Sequence, residues 1–204
     1  MSDSGSTGRN RGETRRRLLA AAAELFETSG TIAQSVEDIA RRAGFTRGAF
    51  YSNFASVEQL YLALHQEQAA AVWERLSVAL DEQLLGAHPA GSLDEAVGHL
   101  LDALPASRDW FSLRTVLLSK AGADPAFAQD MIMTDGGQRL SELGGRFAAL
   151  AAVHGRTPVV EASVLAKAVI AAHVGAVGLS PVDAETSTTQ RVVVTAVLRG
   201  LTTA

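Results

Sequence analysis

Residues Ser35 to Leu60 read S-V-E-D-I-A-R-R-A-G-F-T-R-G-A-F-Y-S-N-F-A-S-V-E-Q-L, and the organisation of the chain follows from them. Ser35 stands where a helix wants an N-cap, with the acid Asp38 three residues on, and Val36, Ile39, Ala40 and Ala43 share one face before Gly44 stops the run. That helix has only about two turns. After Gly44-Phe45, Thr46 caps a further helix whose Phe50 and Phe54 lie one turn apart and point to the same side. Helix, tight glycine turn and helix within about 20 residues is the helix-turn-helix pattern.

Outward from this core, the N-terminal residues to Gly8 are Ser, Gly, Asp and Thr, a composition that does not repay its ordering entropy. Residues 1–11 are therefore expected as a flexible arm, and 12–55 as a helix-turn-helix domain whose first helix ends at Ser29-Gly30. A long helix runs from Ser56 to Leu85 without Pro or Gly, and Ser92 with Glu95 caps another through about Leu104. Further helices are expected over 106–121 and from Asp124-Pro125 to Gly155, the latter bent at Gly136-Gly137. Thr157-Pro158 and Ser180-Pro181 look like N-cap and N1 pairs that start two closing helices. The expectation is an all-α protein of about nine helices, with 56–204 forming a second, helical domain for ligand binding and dimerisation.

Composition narrows the function. The chain has 204 residues, no cysteine and five scattered histidines, so neither a thiolate nor a His-based metal site is expected, and no cofactor. No nucleophile-base pair, paired carboxylates or phosphate loop stands out, which argues against an enzyme; His65, His88, His154 and His173 show no triad or ligand spacing. The apolar runs are too short for a bilayer and no export signal precedes the first helix, so a cytoplasmic protein without a membrane partner is expected. The formal net charge is -4. It is unevenly spread: residues 1–65 carry eight Arg against seven acids, and the remainder ten Lys+Arg against fifteen. A basic surface, if present, is local to the N-terminal part.

On a helical wheel with Phe50 and Phe54 inward, Gly48, Ala49 and Ser52 face outward and Tyr51 and Asn53 flank them. Small outward residues suit a helix pressed into a DNA major groove, where Arg47 can grip guanine O6 and N7 together. Phosphate-binding groups surround it: the Thr46 and Tyr51 hydroxyls, the Asn53 amide, Ser35 with the free N–H groups of its helix, and arginines 9, 11, 15, 16 and 17. The plain alternative is a solvated arginine run beside an ordinary helical hairpin. The stretch 35–60, within residues 12–64, closely resembles the DNA-binding region of the tetracycline-repressor (TetR) family in its I-A-x-x-A-G, G-x-x-Y-x-x-F and final Leu spacing. The resemblance implies Ser35, Thr46, Tyr51 and Asn53 at phosphate-contact positions and Arg47, Gly48, Ala49 and Ser52 at base-facing ones. Family members often carry Lys where this chain has Ala55 and Val57, a departure expected to weaken backbone affinity or to shift that burden onto the N-terminal arginines.

Beyond Leu64 the signals are coarser. Val164, Leu165, Ala168, Ala172, Gly175 and Leu179 form one stripe, and Val194, Val197, Leu198 and Leu201 a second. They fit either an intramolecular core or a four-helix interface between two copies, and a two-fold protein suits a palindromic operator in double-stranded DNA. Trp73, His99, Trp110, Phe111, Arg114, Phe127 and Phe147 are candidates to line an effector chamber, with core packing the alternative for each. The reading is a homodimeric transcriptional regulator, a repressor released from DNA by a small, largely apolar molecule. The competing reading is a helical DNA-binding or interaction protein controlled by a protein partner.

Overall fold

The computed structural model describes residues 4–86, 90–104, 108–135 and 137–204. The expected breaks at Pro89, Pro105 and Gly136, and also His88, lie outside the described residues, as does the side chain of Arg9. Ten helices are found among the described residues: α1 Ser4–Ser29, α2 Val36–Ala43, α3 Arg47–Tyr51, α4 Val57–Leu85, α5 Leu93–Ala103, α6 Arg108–Ala123, α7 Pro125–Asp135, α8 Gly137–Val153, α9 Ala162–Gly178 and α10 Thr186–Gly200. Two short strands, β1 Thr157–Pro158 and β2 Thr202–Thr203, pair antiparallel.

The chain divides into two compact units. One comprises residues 1–69 and 112–128; the other comprises 70–111 and 129–204. In the first, Leu18, Leu19, Ala22 and Phe26 of α1 are buried with Ile39, Ala40 and Ala43 of α2, Phe50 of α3, and Leu60 and Tyr61 of α4. The Tyr61 hydroxyl donates to the Ala22 carbonyl at 3.3 Å, and burial pushes its pKa up to about 12, so it acts only as a neutral donor. In the second, Leu80, Val97, Leu143, Phe147, Leu150, Leu165, Val169, Val194 and Leu198 close one core from α4, α5, α8, α9 and α10.

Three expectations are corrected. The helix begins at Ser4, so most of the expected arm continues α1; extending an existing helix fixes one residue per new hydrogen bond, a small cost beside nucleation. Thr157-Pro158 starts no helix: it is extended, as a residue before proline prefers, and pairs with Thr202-Thr203. Arg156 locks that pairing through the Thr202 carbonyl at 2.7 Å and hydroxyl at 2.8 Å. The following helix begins at Ala162 with Glu161 as its cap. Ser180-Pro181 likewise sits in a turn, and α10 starts only at Thr186. There Asp183 accepts from the Glu185 N–H at 2.9 Å and the Thr189 hydroxyl at 2.7 Å, and these bonds hold its carboxyl below the usual range.

Two adjacent glycines of α8 have opposite surroundings. A Cβ on residue 144 would lie 1.7 Å from the Ala162 carbonyl oxygen, so α8 and the start of α9 approach through the missing side chain. A Cβ on residue 145 would meet nothing within 4 Å. Gly144→Ala is expected to destabilise by at least about 1–3 kcal/mol, because backbone must move. Gly145→Ala is expected to stabilise by roughly 0.5–1 kcal/mol through helix propensity. Urea unfolding of the two variants checks both signs.

Candidate nucleic-acid interface

Helix α2 starts and stops by side-chain and backbone chemistry that the sequence specifies. Ser35 Oγ accepts from the Asp38 N–H at 3.0 Å and donates its proton to Asp38 Oδ2 at 2.6 Å. That bond, with the Arg41 guanidinium, holds the Asp38 carboxyl below its ordinary range. At the other end Gly44 adopts φ 76°, its N–H bonds to the Arg41 carbonyl at 3.1 Å, and the Phe45 N–H reaches the Ala40 carbonyl at 2.8 Å. This Schellman turn needs a left-handed residue at Gly44 and aims the chain directly into α3.

Helix α3 is five residues long and is fixed at both ends. Thr46 Oγ1 accepts from the Ala49 N–H at 3.3 Å. At the C-terminal end, Ser52 Oγ and Asn53 Nδ2 both donate to the Ala49 carbonyl, at 2.9 and 2.8 Å. Arg11 reaches from α1 to donate to the Ser52 carbonyl at 2.8 Å. Phe50 is fully buried, with Phe54 at 5.9 Å and Tyr51 edge-on at 5.5 Å.

The opposite face is open. Arg47, Gly48, Tyr51 and Ser52 are exposed and Ala49 is half-buried. A Cβ on Gly48 would meet only Thr46 Oγ1, at 3.7 Å, so no packing inside the chain demands a glycine there. Arg47 Nη1 pairs with Glu37 of α2, and its Cζ lies 5.9 Å from the centre of the Tyr51 ring. Tyr51 and Glu37 together raise the guanidinium pKa above its ordinary value, so its positive charge is permanent.

The arginines of α1 divide between holding the motif and facing water. Arg11 caps α3, Arg15 stacks over Phe54 at 4.6 Å and Arg17 stacks over Phe45 at 4.8 Å. Arg16 is exposed and paired with Glu13. In α2, Arg41 pairs with Asp38 and Arg42 with Glu24. The sequence reading placed the N-terminal arginines as phosphate ligands and missed their structural work. It also missed Glu37, because a partner ten residues away across a turn leaves no periodic signal.

In the second unit, Ala70, Trp73, Glu74 and Ser77 of α4 face Arg139, Glu142, Leu143 and Arg146 of α8 across a cleft of about 640 Å³. Arg146 is tied to Asp81 and donates to the Ser77 carbonyl at 3.3 Å. Of the seven proposed chamber residues only Trp73 lines this cleft. Phe147 lies in the core, Phe111 packs against Gly178, and exposed His99 bonds Gln83 at 3.2 Å. Trp110, like Phe147, Phe111 and His99, belongs to the second unit, whereas Arg114 and Phe127 belong to the first. The Arg139 and Arg146 spacing of seven, one face of a helix, was the available signal for the α8 wall.

The two apolar stripes also separate. Leu165, Val194 and Leu198 are buried in the chain's own core, so they are not free for a partner. Val164 at 45% and Leu179 at 50% are exposed, Gly175 too; Ala168, Ala172, Val197 and Leu201 are half-buried. Helix α9 is apolar on nearly all sides, and a stripe alone does not say which side faces inward. Among the described residues no helix is long and apolar enough to cross a membrane, and no group of three His, Asp or Glu is placed to hold a metal ion.

Comparison with known proteins agrees with this geometry. The family model for bacterial regulatory proteins of the tetR family matches residues 18–64. The HTH-type transcriptional repressor AcnR of Corynebacterium efficiens is 29% identical over 122 residues, 60% of this chain and 58% of that protein. AcnR of Corynebacterium glutamicum is 28% identical over 114 residues, 56% and 54% of the two chains. The chain therefore spans somewhat over half the length of these relatives. Among solved structures, a TetR-family regulator from Mesorhizobium loti superposes with a TM-score of 0.70 at 16% identity, covering 94% of this chain and 96% of that one. Salmonella enterica GusR gives 0.64 at 21%, covering 91% and 95%. At such identities the structural likeness establishes the fold. The capped α2–turn–α3 geometry and the family match fall on the same segment, so residues 18–64 are similar to the DNA-binding region of tetR-family bacterial regulatory proteins, and the rest of the chain shares the fold of the solved regulators.

Proposed function

We propose that the protein is a DNA-binding transcriptional regulator that binds a palindromic operator as a homodimer in the cytoplasm and represses until a small effector releases it. The observation that carries the reading is the outer face of α3, where the space over Gly48 is open and an exposed arginine stands beside it. Glycine costs up to about 1 kcal/mol against alanine in a helix interior and somewhat less in the first turn, where Gly48 stands; close approach of a DNA backbone or base edge supplies a reason for it. Thr46 and Tyr51 flank that face with hydroxyls for phosphate. Repression is the activity that the names of the two relatives state for those proteins.

Dimerisation supports the palindrome, because one short helix reads few base pairs and two half-sites about 34 Å apart call for a two-fold protein. The exposed apolar residues of α9 and α10, Val164, Leu179 and Val192, are the surface offered to the second copy. The cleft between α4 and α8 has the size of a small-molecule site and pairs an indole with charged groups, which favours an amphipathic effector over a protein partner. Helix α4 is continuous from Val57 to Leu85, so a molecule wedged at Trp73 acts on the same helix that follows the DNA-binding motif. Release then requires only that the effector bind more tightly to the state with mismatched half-site spacing.

Selection of duplexes from a random pool tests DNA reading. Arg47→Ala is expected to cost about 1–3 kcal/mol at one base pair, whereas Tyr51→Phe weakens binding to all duplexes alike. Unchanged affinity and preference in Arg47→Ala would reassign the reading face. Val164→Glu places a charge on a residue exposed in the single chain, so the fold persists while the dimer is lost; sedimentation of both proteins at micromolar concentration, with the parent dimeric, is the check. For the effector, compounds that raise the melting temperature are expected to lower affinity for the selected duplex, and Trp73→Ala to keep DNA binding while losing that response.

A further inference from the structure

Building on the DNA-reading role proposed for α3, we infer that Glu37 is a positioning residue for base readout, holding the Arg47 guanidinium so that its free edge meets a guanine. Glu37 lies in the first turn of α2, its side chain half exposed, and pairs with Arg47 Nη1 across the turn. The arginines of its own helix are engaged elsewhere, Arg41 with Asp38 and Arg42 with Glu24. The Arg47 pairing is therefore not the generic one-turn ion pair of a helix surface.

The chemistry of the guanidinium makes this arrangement useful. Arginine offers five N–H groups in a planar fork, and reading guanine takes two of them, on O6 and N7. With Nη1 on Glu37 and the Tyr51 side chain as a second partner, the remaining N–H groups of the fork are left for the base. The Tyr51 ring, 5.9 Å from Cζ and one turn along α3, limits the guanidinium from the other side. An arginine pinned in this way has lost its rotamer freedom before DNA arrives, so less is lost on binding. It is also kept from swinging to the nearest phosphate, a contact that would add affinity without sequence information. A carboxylate beside a polyanion is otherwise a liability, and an exposed pair adds little to stability. Its position makes sense when the arginine it holds is the reader.

The test uses the duplex that the intact protein selects from a random pool, with affinities measured for that duplex, for its single-base-pair variants and for an unrelated duplex. Parent, Glu37→Ala, Glu37→Gln, Arg47→Ala and the Glu37→Ala/Arg47→Ala double variant are compared. At the base pair whose preference Arg47→Ala removes, Glu37→Ala is expected to lose about tenfold in discrimination. Glu37→Gln, which still accepts from Nη1, should lose only about threefold, and the double variant should match Arg47→Ala. Affinity of Glu37→Ala for the unrelated duplex should rise, with the melting temperature unchanged. The inference is overturned if Glu37→Ala discriminates as the parent does. It is equally overturned if the loss falls at a different base pair and adds to that of Arg47→Ala, the pattern of Glu37 reading cytosine N4 directly. A parent that selects no duplex removes the proposed function itself, and with it this inference; a selecting parent whose Arg47→Ala variant keeps every preference removes the inference alone.

Discussion

Five residues of helix are too few to persist in water, where nucleation alone defeats segments shorter than about 12–15 residues. Helix α3 therefore depends on what grips it, and the principal grip is Phe50, buried completely beneath it. Burying a phenylalanine contributes about 1.5–3 kcal/mol, more than either cap of α3 supplies. Around Phe50 the remaining parts have defined duties. The Gly44 turn sets the angle of entry, Thr46 satisfies one of the first free N–H groups, and Arg11 with Ser52 and Asn53 closes the far end. Because every one of these contacts lies on the inner side or at the ends, the outer face is free of structural obligation.

That division governs the electrostatics. The eight arginines of the first 65 residues look from sequence like a phosphate-binding bank. In the structure three of the five in α1 stack on aromatic rings or cap α3, and the two in α2 are paired with acids. Local basicity here is spent partly on rigidity. The departure at Ala55 and Val57 gains weight accordingly: in the proposed DNA-binding role the arginines expected to compensate are already engaged, which leaves phosphate contact to hydroxyls and helix N–H groups.

What was legible in the sequence was whatever acts over a few residues. The Ser35 and Thr46 caps, the stops at Gly30 and Gly44, the inward Phe50 and Phe54, and the long helix to Leu85 all follow from local chemistry, and the all-α architecture follows from their repetition. Failures came where a distant segment outbid a local preference. Thr157-Pro158 carries a respectable helix-start signature, but the C-terminal Thr202-Thr203 pairs with it and Arg156 holds the pair. The stripe of α9 mixed Leu165, committed to the core, with Val164, left in solvent one position away. The Glu37–Arg47 pair depends on tertiary approach, which periodicity does not encode, and the spacing of Arg139 and Arg146 marks a face of α8 without saying that α4 lies across from it.

Glycines supply a physical criterion for telling a functional face from a packed one. Gly144 and Gly178 are glycine because a neighbour already occupies the Cβ position: the Ala162 carbonyl at 1.7 Å and the Phe111 ring at 2.6 Å. Gly44 is glycine because its φ of 76° disfavours any side chain. Gly48 meets neither condition, since its φ is not in the left-handed region and the nearest atom to a Cβ is a hydroxyl at ordinary contact distance. An open Cβ position does not decide the matter by itself, since Gly145 shares it inside α8, so the weight falls on where Gly48 stands. Its place one residue from Arg47, on the side of α3 not used for holding the helix, is what supports the proposed contact with DNA there.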